Sequence, residues 1–435
     1  MKRFHVILIP GFAGFDALGQ LEYYGGVTSL FGPWASGNEV LHYFDNFPTA
    51  AVVTRAALLR NYLAKRIVRG EISSRDEVTL VGHSTGGLDI RWLLWELHQQ
   101  LKKTLVVDGA PVRLSQVRDC IRRVVFLSVP HWGTNIADWV HGQPLLRMAV
   151  IAQLQVAVAG SQALLLDCLE RSIVGGVAHL SRAGLLRAVE DALSEANEYN
   201  GRPSDMRKAE AREAASELSL YLRQMASDFR AIDDLTSCRP GSGRRESPAH
   251  FTIAEREQEK AALRDIEFLS FVTLGKRPFE FQTGERAPVW VPEEPWTGRE
   301  VLKRTRLSAG TDIVYRICYR ACAGGPFEQP TQRYKLKFFL RPDRVPPLEV
   351  WDNDGIVNTL SMLWPNGENL LVSADHMDIV GQFKPIRAHH GDGREYRVYD
   401  LLNSGSGFDD RTFDRVWRKV FAFAMPRSNE YRLAA

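Results

Sequence analysis

Residues 80–88 read LVGHSTGGL and combine one serine, one histidine and three glycines. An apolar run precedes this stretch, and apolar residues at helical spacing follow it from 88 to 97. Gly82-x-Ser84-x-Gly86 is the pattern of a nucleophile elbow, a sharp turn between a strand and a helix. Its glycines let strand and helix approach closely, while the turn strains the serine backbone. The stretch therefore predicts Ser84 as a nucleophile.

The first 135 residues alternate between strand and helix patterns. Residues 4–9, 78–81 and 123–129 are apolar runs typical of buried strands, whereas 54–68 and 88–97 have helical spacing. Such alternation is typical of a mostly parallel sheet covered by helices on both faces. We therefore expect an α/β fold, with residues 1–135 as its N-terminal half.

Two insertions are predicted to interrupt this core. Residues 136–265 form a predicted helical insertion, uncharged from 148 to 166, that resembles a lid. The C-terminal half of the core, 266–435, contains a predicted irregular excursion at about 280–345, rich in proline, glycine and aromatic residues. Strands are expected at 268–273, near Leu348 and at 370–372. Thr252 and Glu255 predict a capping box at the start of a short helix, and a further helix is expected at 412–423.

Composition restricts the partners and the compartment. The chain has 435 residues, 45% hydrophobic and 25% charged, with a net charge of +3, which gives no reason to expect nucleic-acid binding. Residues 148–166 contain three glutamines, so a membrane-spanning helix is not expected there. The N-terminal apolar run is six residues long and ends in Pro-Gly, unlike a signal peptide. With five cysteines, an odd number, we expect free thiols and a cytoplasmic protein.

A serine nucleophile needs N–H donors for the oxyanion and a histidine base. We expect the N–H groups of Thr85, after the nucleophile, and Phe12, after the first strand, to be those donors. His83 should point away from Ser84, because successive side chains on a strand face opposite sides. His131 follows the third strand and, with Trp132, is expected to line the substrate pocket.

The base and the acid should come late in the chain, in the order serine, acid, histidine. His376 follows an apolar strand, whereas His389 and His390 lie in a polar run that reads as a solvated turn. The acid that orients the histidine should precede it, and two carboxylates, Asp352 and Asp354, qualify. The residues alone leave the choice between these two open.

Several of these motifs, in this order, resemble the true lipases of bacilli and staphylococci, within the α/β-hydrolases. The matching stretches are residues 10–14 (PGFAG), 24–27 (YGGV), 82–87 (GHSTGG), 130–134 (PHWGT), 353–359 (NDGIVNT) and 375–381 (DHMDIVG). The resemblance implies an α/β-hydrolase fold with a helical lid, Asp354 as the acid and His376 as the base. The chain departs from it at Pro10, where the family has histidine.

The resemblance also bears on metals. The family's calcium carboxylates, two and seven residues after the catalytic histidine, correspond to Asp378 and Phe383, and its zinc ligands have no counterpart. We therefore expect no metal and no cofactor, with calcium doubtful.

Together these patterns predict a serine-dependent carboxylic-ester hydrolase, a lipase or esterase, that acts on lipid-like or short acyl esters through an acyl-enzyme. From the predicted lid we also expect transient contact with a lipid surface. Two alternatives use the same scaffold: an acyltransferase with the same triad, and a non-catalytic binding module.

Overall fold

The structure is a computed structural model. It describes residues 2–12, 14, 17–18, 21–35, 37–141, 224, 227–237, 247–281, 305–307, 313–323, 335–339, 348–384, 386–389, 395–398, 400 and 402–426. The predicted lid segment at 148–166 and most of the region at 280–345 lie outside these residues. The predicted division into two core halves and an insertion stays a prediction.

A seven-stranded sheet forms the centre of the fold. Its strands are β1 Phe4–Ile9, β2 Glu39–Tyr43, β3 Glu77–His83, β4 Ile121–Leu127, β5 Glu267–Leu274, β6 Leu336–Phe338 and β7 Glu368–Ser373. They lie side by side in the order β6-β7-β5-β4-β3-β1-β2, and every neighbouring pair is parallel. The predicted parallel sheet is confirmed.

The described helices longer than six residues are α1 Val52–Val68, α2 Thr85–Gln99, α3 Leu114–Cys120, α4 Asn135–His141, α5 Ile253–Ala262, α6 Ile313–Ala323 and α7 Asp410–Ala424. The predicted capping box begins α5: Glu255 N donates to Thr252 Oγ1, and Thr252 N donates to the Glu255 carboxylate. Two reciprocal hydrogen bonds satisfy N–H groups that the helix itself leaves free.

Both faces of the sheet are covered, because alternate side chains of a strand point to opposite sides. On β1, Val6 and Leu8 pack in the core that contains α7, while Ile7 and Ile9 pack in the core of α1 and α2. Since neither face of β1 is solvated, its residues from Val6 to Ile9 are all apolar and buried, as expected for a strand of a parallel sheet.

Two predictions for the second half of the chain are wrong in detail. The sheet resumes at β6, not near Leu348, and the region predicted as irregular contains α6 and an antiparallel pair, Phe279–Phe281 with Thr305–Leu307. A three-residue edge strand is too short for a periodic signal. In α6 the buried Tyr315, Tyr319 and Cys322 follow helical spacing, which proline and glycine on both sides obscured in the sequence.

No helix among the described residues combines the length and the apolarity that crossing a membrane requires. The described cysteines, Cys120, Cys318 and Cys322, are free thiols, and burial raises the pKa of Cys120 to about 12. A thiol with so high a pKa is a poor nucleophile, so Cys120 acts as a packing residue.

Candidate active site

Ser84 stands between the end of β3 and the first turn of α2. Its backbone has φ 52° and ψ −128°, a conformation that residues with a side chain rarely adopt. Ser84 N donates to Leu127 O at 2.9 Å, and Gly87 N donates to Ser84 O at 3.0 Å. These hydrogen bonds hold the strained turn in place, as the nucleophile-elbow pattern predicted.

Gly86 is required by the close approach of the elbow to β1. A Cβ atom at this position would lie 2.5 Å from Ile9 O and 2.7 Å from Pro10 O. Ile9 belongs to a strand of the sheet and Pro10 O accepts a hydrogen bond from Arg55, so neither oxygen can move away cheaply. The elbow and the end of β1 therefore pack backbone against backbone.

His376 follows β7 and forms a hydrogen bond with Asp354, with Nδ1 and Oδ2 2.8 Å apart. Both residues are buried. His376 N also donates to Asp354 O at 3.0 Å, which fixes the two backbones against each other. The pair lies beside the elbow, because the His376 ring packs on the ring of His83 with centroids 4.7 Å apart.

Three further donors hold the Asp354 carboxylate. Ile356 N and Val357 N donate to Oδ1 at 3.0 and 2.8 Å, and Thr273 Oγ1 donates to Oδ2 at 2.6 Å. With the histidine, the carboxylate accepts four hydrogen bonds in a fully buried position. These contacts fix the position of both oxygens, so this carboxylate can orient the ring of His376 and keep its proton on Nδ1.

Asp352 has a different partner. Arg277 Nε and Nη2 donate to its two oxygens at 2.8 and 2.9 Å, and Glu349 N donates to it at 2.9 Å. Of the two carboxylates between which the sequence left the choice open, only Asp354 contacts His376.

Ser84 and His376 thus follow the carboxyl ends of the parallel strands β3 and β7, and Asp354 contacts His376. The three residues occur in the chain order serine, acid, histidine, with the serine on a strained turn after a central strand. This is the α/β-hydrolase fold.

No family model matches the sequence, and no curated protein matches it. Among solved structures, the chain is similar to Staphylococcus hyicus lipase, with 13% identity, 97% of this chain and 95% of that chain covered, and a TM-score of 0.45. It is also similar to lipase 1 from Pelosinus fermentans, with 16% identity, 88% and 94% coverage, and a TM-score of 0.43.

A third similar structure is the mature form of Bacillus licheniformis lipase BlEst2, with 12% identity, 87% of each chain covered and a TM-score of 0.36. At these identities, activity has to be inferred from the site itself.

The predicted oxyanion loop lies against the elbow. A Cβ on Gly11 would come within 2.7 Å of Ser84 Cβ, so the two backbones are in close contact. Phe12, the next residue, is half-buried, and Thr85 is the first residue of α2. The first N–H groups of a helix have no partner within it, which leaves that of Thr85 available to a ligand.

Arg55, which lies on α1 and is fully buried, holds the predicted oxyanion loop in place. Its Nη2 donates to Pro10 O at 2.8 Å and to Gly11 O at 3.1 Å, while Nε donates to both oxygens of Asp89. Burial raises the pKa of Asp89 to about 7, although Arg55 opposes this shift. Gly11 O and Phe12 N share one planar peptide, so fixing the carbonyl fixes the direction of the Phe12 N–H.

Replacing Arg55 by methionine is expected to lower the free energy of unfolding by about 3–5 kcal/mol, because Asp89 is left buried without its cation. kcat should fall as well, since the loop carbonyls lose their donor. Chemical denaturation and ester kinetics measure the two effects.

The double variant Arg55→Met/Asp89→Leu separates these effects. It removes both charges and should regain much of the stability, while kcat stays low. A stable double variant with the kcat of the original chain would contradict the role of Arg55.

The sequence missed Arg55, Thr273 and Tyr23, whose hydroxyl accepts from Gly11 N at 2.9 Å. Arg55 and Thr273 belong to no motif. Tyr23 precedes the Tyr24-Gly25-Gly26 stretch of the resemblance, which was the one available signal.

His131 and Trp132, the predicted pocket residues, pack against aromatic and cationic side chains. The His131 ring is fully buried between Phe126 and Trp364, with centroids 4.7 and 4.6 Å away. Trp132 is half-buried, and the guanidinium of Arg256 lies 4.2 Å from the centre of its ring. Their role as pocket lining stays a prediction.

His389 belongs to a short antiparallel strand, Ile386–His389, and His390 lies outside the described residues. Among the described residues, His376 is the histidine whose ring contacts the acid.

An acidic cluster includes Asp375, the residue next to His376 in the chain. One carboxylate oxygen from each of Asp375, Asp378 and Asp400 lies within 4.8 Å of the others. Burial raises the pKa of Asp375 to about 6 and that of Asp378 well above its usual range. Ser404 and Ser406 donate to Asp375 and Asp378 at 2.7 and 2.8 Å. Carboxylate oxygens suit calcium, so the donors fit this ion, although they supply three of the six to eight oxygens that it takes.

Proposed function

We propose that the chain hydrolyses carboxylic esters with Ser84 as nucleophile, His376 as base and Asp354 as the orienting acid. The observation that carries this proposal is the hydrogen bond of 2.8 Å from His376 to a buried, four-fold hydrogen-bonded Asp354, beside a serine in a strained elbow. A strained turn and a buried carboxylate both cost free energy, which a site for nucleophilic catalysis explains.

In the proposed mechanism, Ser84 Oγ attacks the acyl carbonyl while its proton moves to His376 Nε2. Asp354 stabilises the imidazolium that forms. The N–H groups of Phe12 and Thr85 donate to the oxyanion of the tetrahedral intermediate. As the intermediate collapses, the C–O bond breaks and Nε2 returns the proton to the leaving alcohol.

Deacylation repeats these steps with water. His376 Nε2 takes a proton from the water molecule, whose oxygen attacks the acyl-enzyme, and the proton then returns to Ser84 as the carboxylic acid leaves. Every step uses groups of this chain. Calcium, if held by Asp375, Asp378 and Asp400, would neutralise charge beside His376 and would not react; the absence of a metal stays a prediction.

A fluorophosphonate probe tests the nucleophile. We expect one label per chain, on the peptide that contains Ser84, and loss of label when the protein is unfolded first, because phosphonylation needs the histidine and the oxyanion donors. p-Nitrophenyl esters from acetate to palmitate, below and above their solubility, then give the acyl preference. A folded chain that takes no label would instead be a binding module.

Added alcohol separates hydrolysis from acyl transfer. With methanol present, we expect carboxylic acid to remain the main product from an aqueous ester solution. A methyl ester as main product at low methanol would make the chain an acyltransferase with the same triad.

A further inference from the structure

Beside the triad, a chain of hydrogen bonds connects the oxyanion loop to the catalytic histidine. Gly11 N donates to Tyr23 Oη at 2.9 Å, and Tyr23 Oη lies 2.6 Å from His83 Nδ1. His83 Nε2 in turn lies 2.9 Å from His376 O. His83, which the sequence excluded as the base, therefore uses both ring nitrogens in these contacts.

The direction of each hydrogen bond follows from the last one. A carbonyl oxygen can only accept, so His83 Nε2 carries a proton and donates it to His376 O. In the neutral ring Nδ1 is then bare and accepts, so Tyr23 must donate its hydroxyl proton to it. The tyrosine oxygen is left to accept from Gly11 N. All donors point from the oxyanion loop towards His376.

Burial keeps the chain of hydrogen bonds in this one protonation state. Tyr23 and His83 are 5% and 0% exposed. Burial lowers the pKa of His83 well below its usual range, with a further contribution from His376, and burial raises the pKa of Tyr23. Neutral hydrogen bonds in a dry interior strengthen one another and resist rearrangement.

We propose that Tyr23 and His83 are positioning residues, which hold the oxyanion loop and the backbone of His376 in register. This inference rests on the proposed function. Neither residue contacts the reacting atoms in the proposed mechanism. Tyr23 accepts from the N–H of Gly11, and Arg55 donates to the carbonyl of Gly11, so the two side chains fix Gly11 from both ends. His83 applies the same restraint to the carbonyl of His376.

Tyr23→Phe removes one oxygen and tests this role. We expect kcat to fall roughly tenfold with KM unchanged, because the oxyanion donors matter most in the transition state. The affinity for a boronic-acid analogue of that state should fall by a similar factor.

Tyr24→Phe is the matched control. Tyr24 is the next residue, is equally buried, and donates to Ile9 O at 2.7 Å. Both variants should lower the melting temperature by similar amounts, whereas only Tyr23→Phe should lower kcat and the affinity for the analogue. If the original chain is active and the two variants have equal kcat, the positioning role is wrong, whereas the proposed function is unaffected.

His83 gives a second, independent comparison. Glutamine can accept from Tyr23 and donate to His376 O, whereas leucine can do neither. We expect His83→Gln to retain more of kcat than His83→Leu at matched melting temperature, and equal losses would count against the role.

A readout without turnover covers the case in which the proposed function itself fails. In histidine-selective ¹⁵N spectra, His83 should be the Nε2–H tautomer at pH 6–8, and Tyr23→Phe should shift its Nδ1 resonance. A protonated His83, or an unchanged Nδ1 in Tyr23→Phe, would overturn the chain of hydrogen bonds.

Discussion

Ser84→Ala is expected to lower kcat for p-nitrophenyl butyrate by roughly 10⁶-fold, the size of effect that serine proteases show when their nucleophile is removed. The physical reason is that no other group can form the acyl-enzyme, so water must attack the ester directly. Steady-state rates at high enzyme concentration measure the loss, with the melting temperature as the check on folding. A folded Ser84→Ala variant with ordinary turnover would contradict the assignment.

The backbone of Ser84 adds a second expected result at the same position. Its φ of 52° is strained for any residue with a Cβ and free for glycine. The free energy of unfolding of Ser84→Gly should therefore exceed that of Ser84→Ala by about 1–3 kcal/mol, and Ser84→Gly should unfold at a higher temperature. Both variants should lack activity. An alanine variant as stable as the glycine variant would show that the turn stores no strain.

Asp354→Asn is expected to lower kcat about 10⁴-fold without changing the shape of the site. An amide can donate to His376 Nδ1, which stabilises the tautomer with the proton on Nε2. This tautomer cannot accept the proton of Ser84, and the imidazolium loses its counter-charge. Burst kinetics with p-nitrophenyl esters should show that acylation is the slowed step.

Asp352→Asn is the control for this variant. Asp352 is equally buried, lies two residues away, and is the other carboxylate that the sequence offered. The substitution removes the negative charge that pairs with Arg277, so it should lower the free energy of unfolding and leave kcat nearly unchanged. Comparable losses of kcat in the two variants would contradict the assignment of Asp354.

Features with a local signal were predictable from the sequence. The elbow at Ser84 is a short pattern of glycines between a strand and a helix, and the capping box at Thr252 needs only two residues. The exclusion of His83 as the base followed from strand geometry alone. The choice of Asp354 over Asp352 required the family resemblance, because both carboxylates follow the same stretch of chain.

The partners that hold the site were not predictable, because they are tertiary contacts between distant residues. Thr273 reaches Asp354 from 81 positions away, and Tyr23 reaches His83 from 60 positions away. A threonine on a buried strand and a tyrosine in an aromatic stretch have ordinary packing roles by default. The fold must bring them to the site before their hydroxyls can be recognised as hydrogen-bond donors to it.

The proposed oxyanion loop and the elbow differ in how far their side chains can be changed. Phe12 is proposed to act through its backbone, while its ring packs edge-on against Phe229, with centroids 5.5 Å apart. A library that varies the side chains at 12 and 229 can therefore change the surface that these two rings form while keeping the amide that would polarise the ester. Position 86 offers no such freedom, and selection experiments should leave it as glycine.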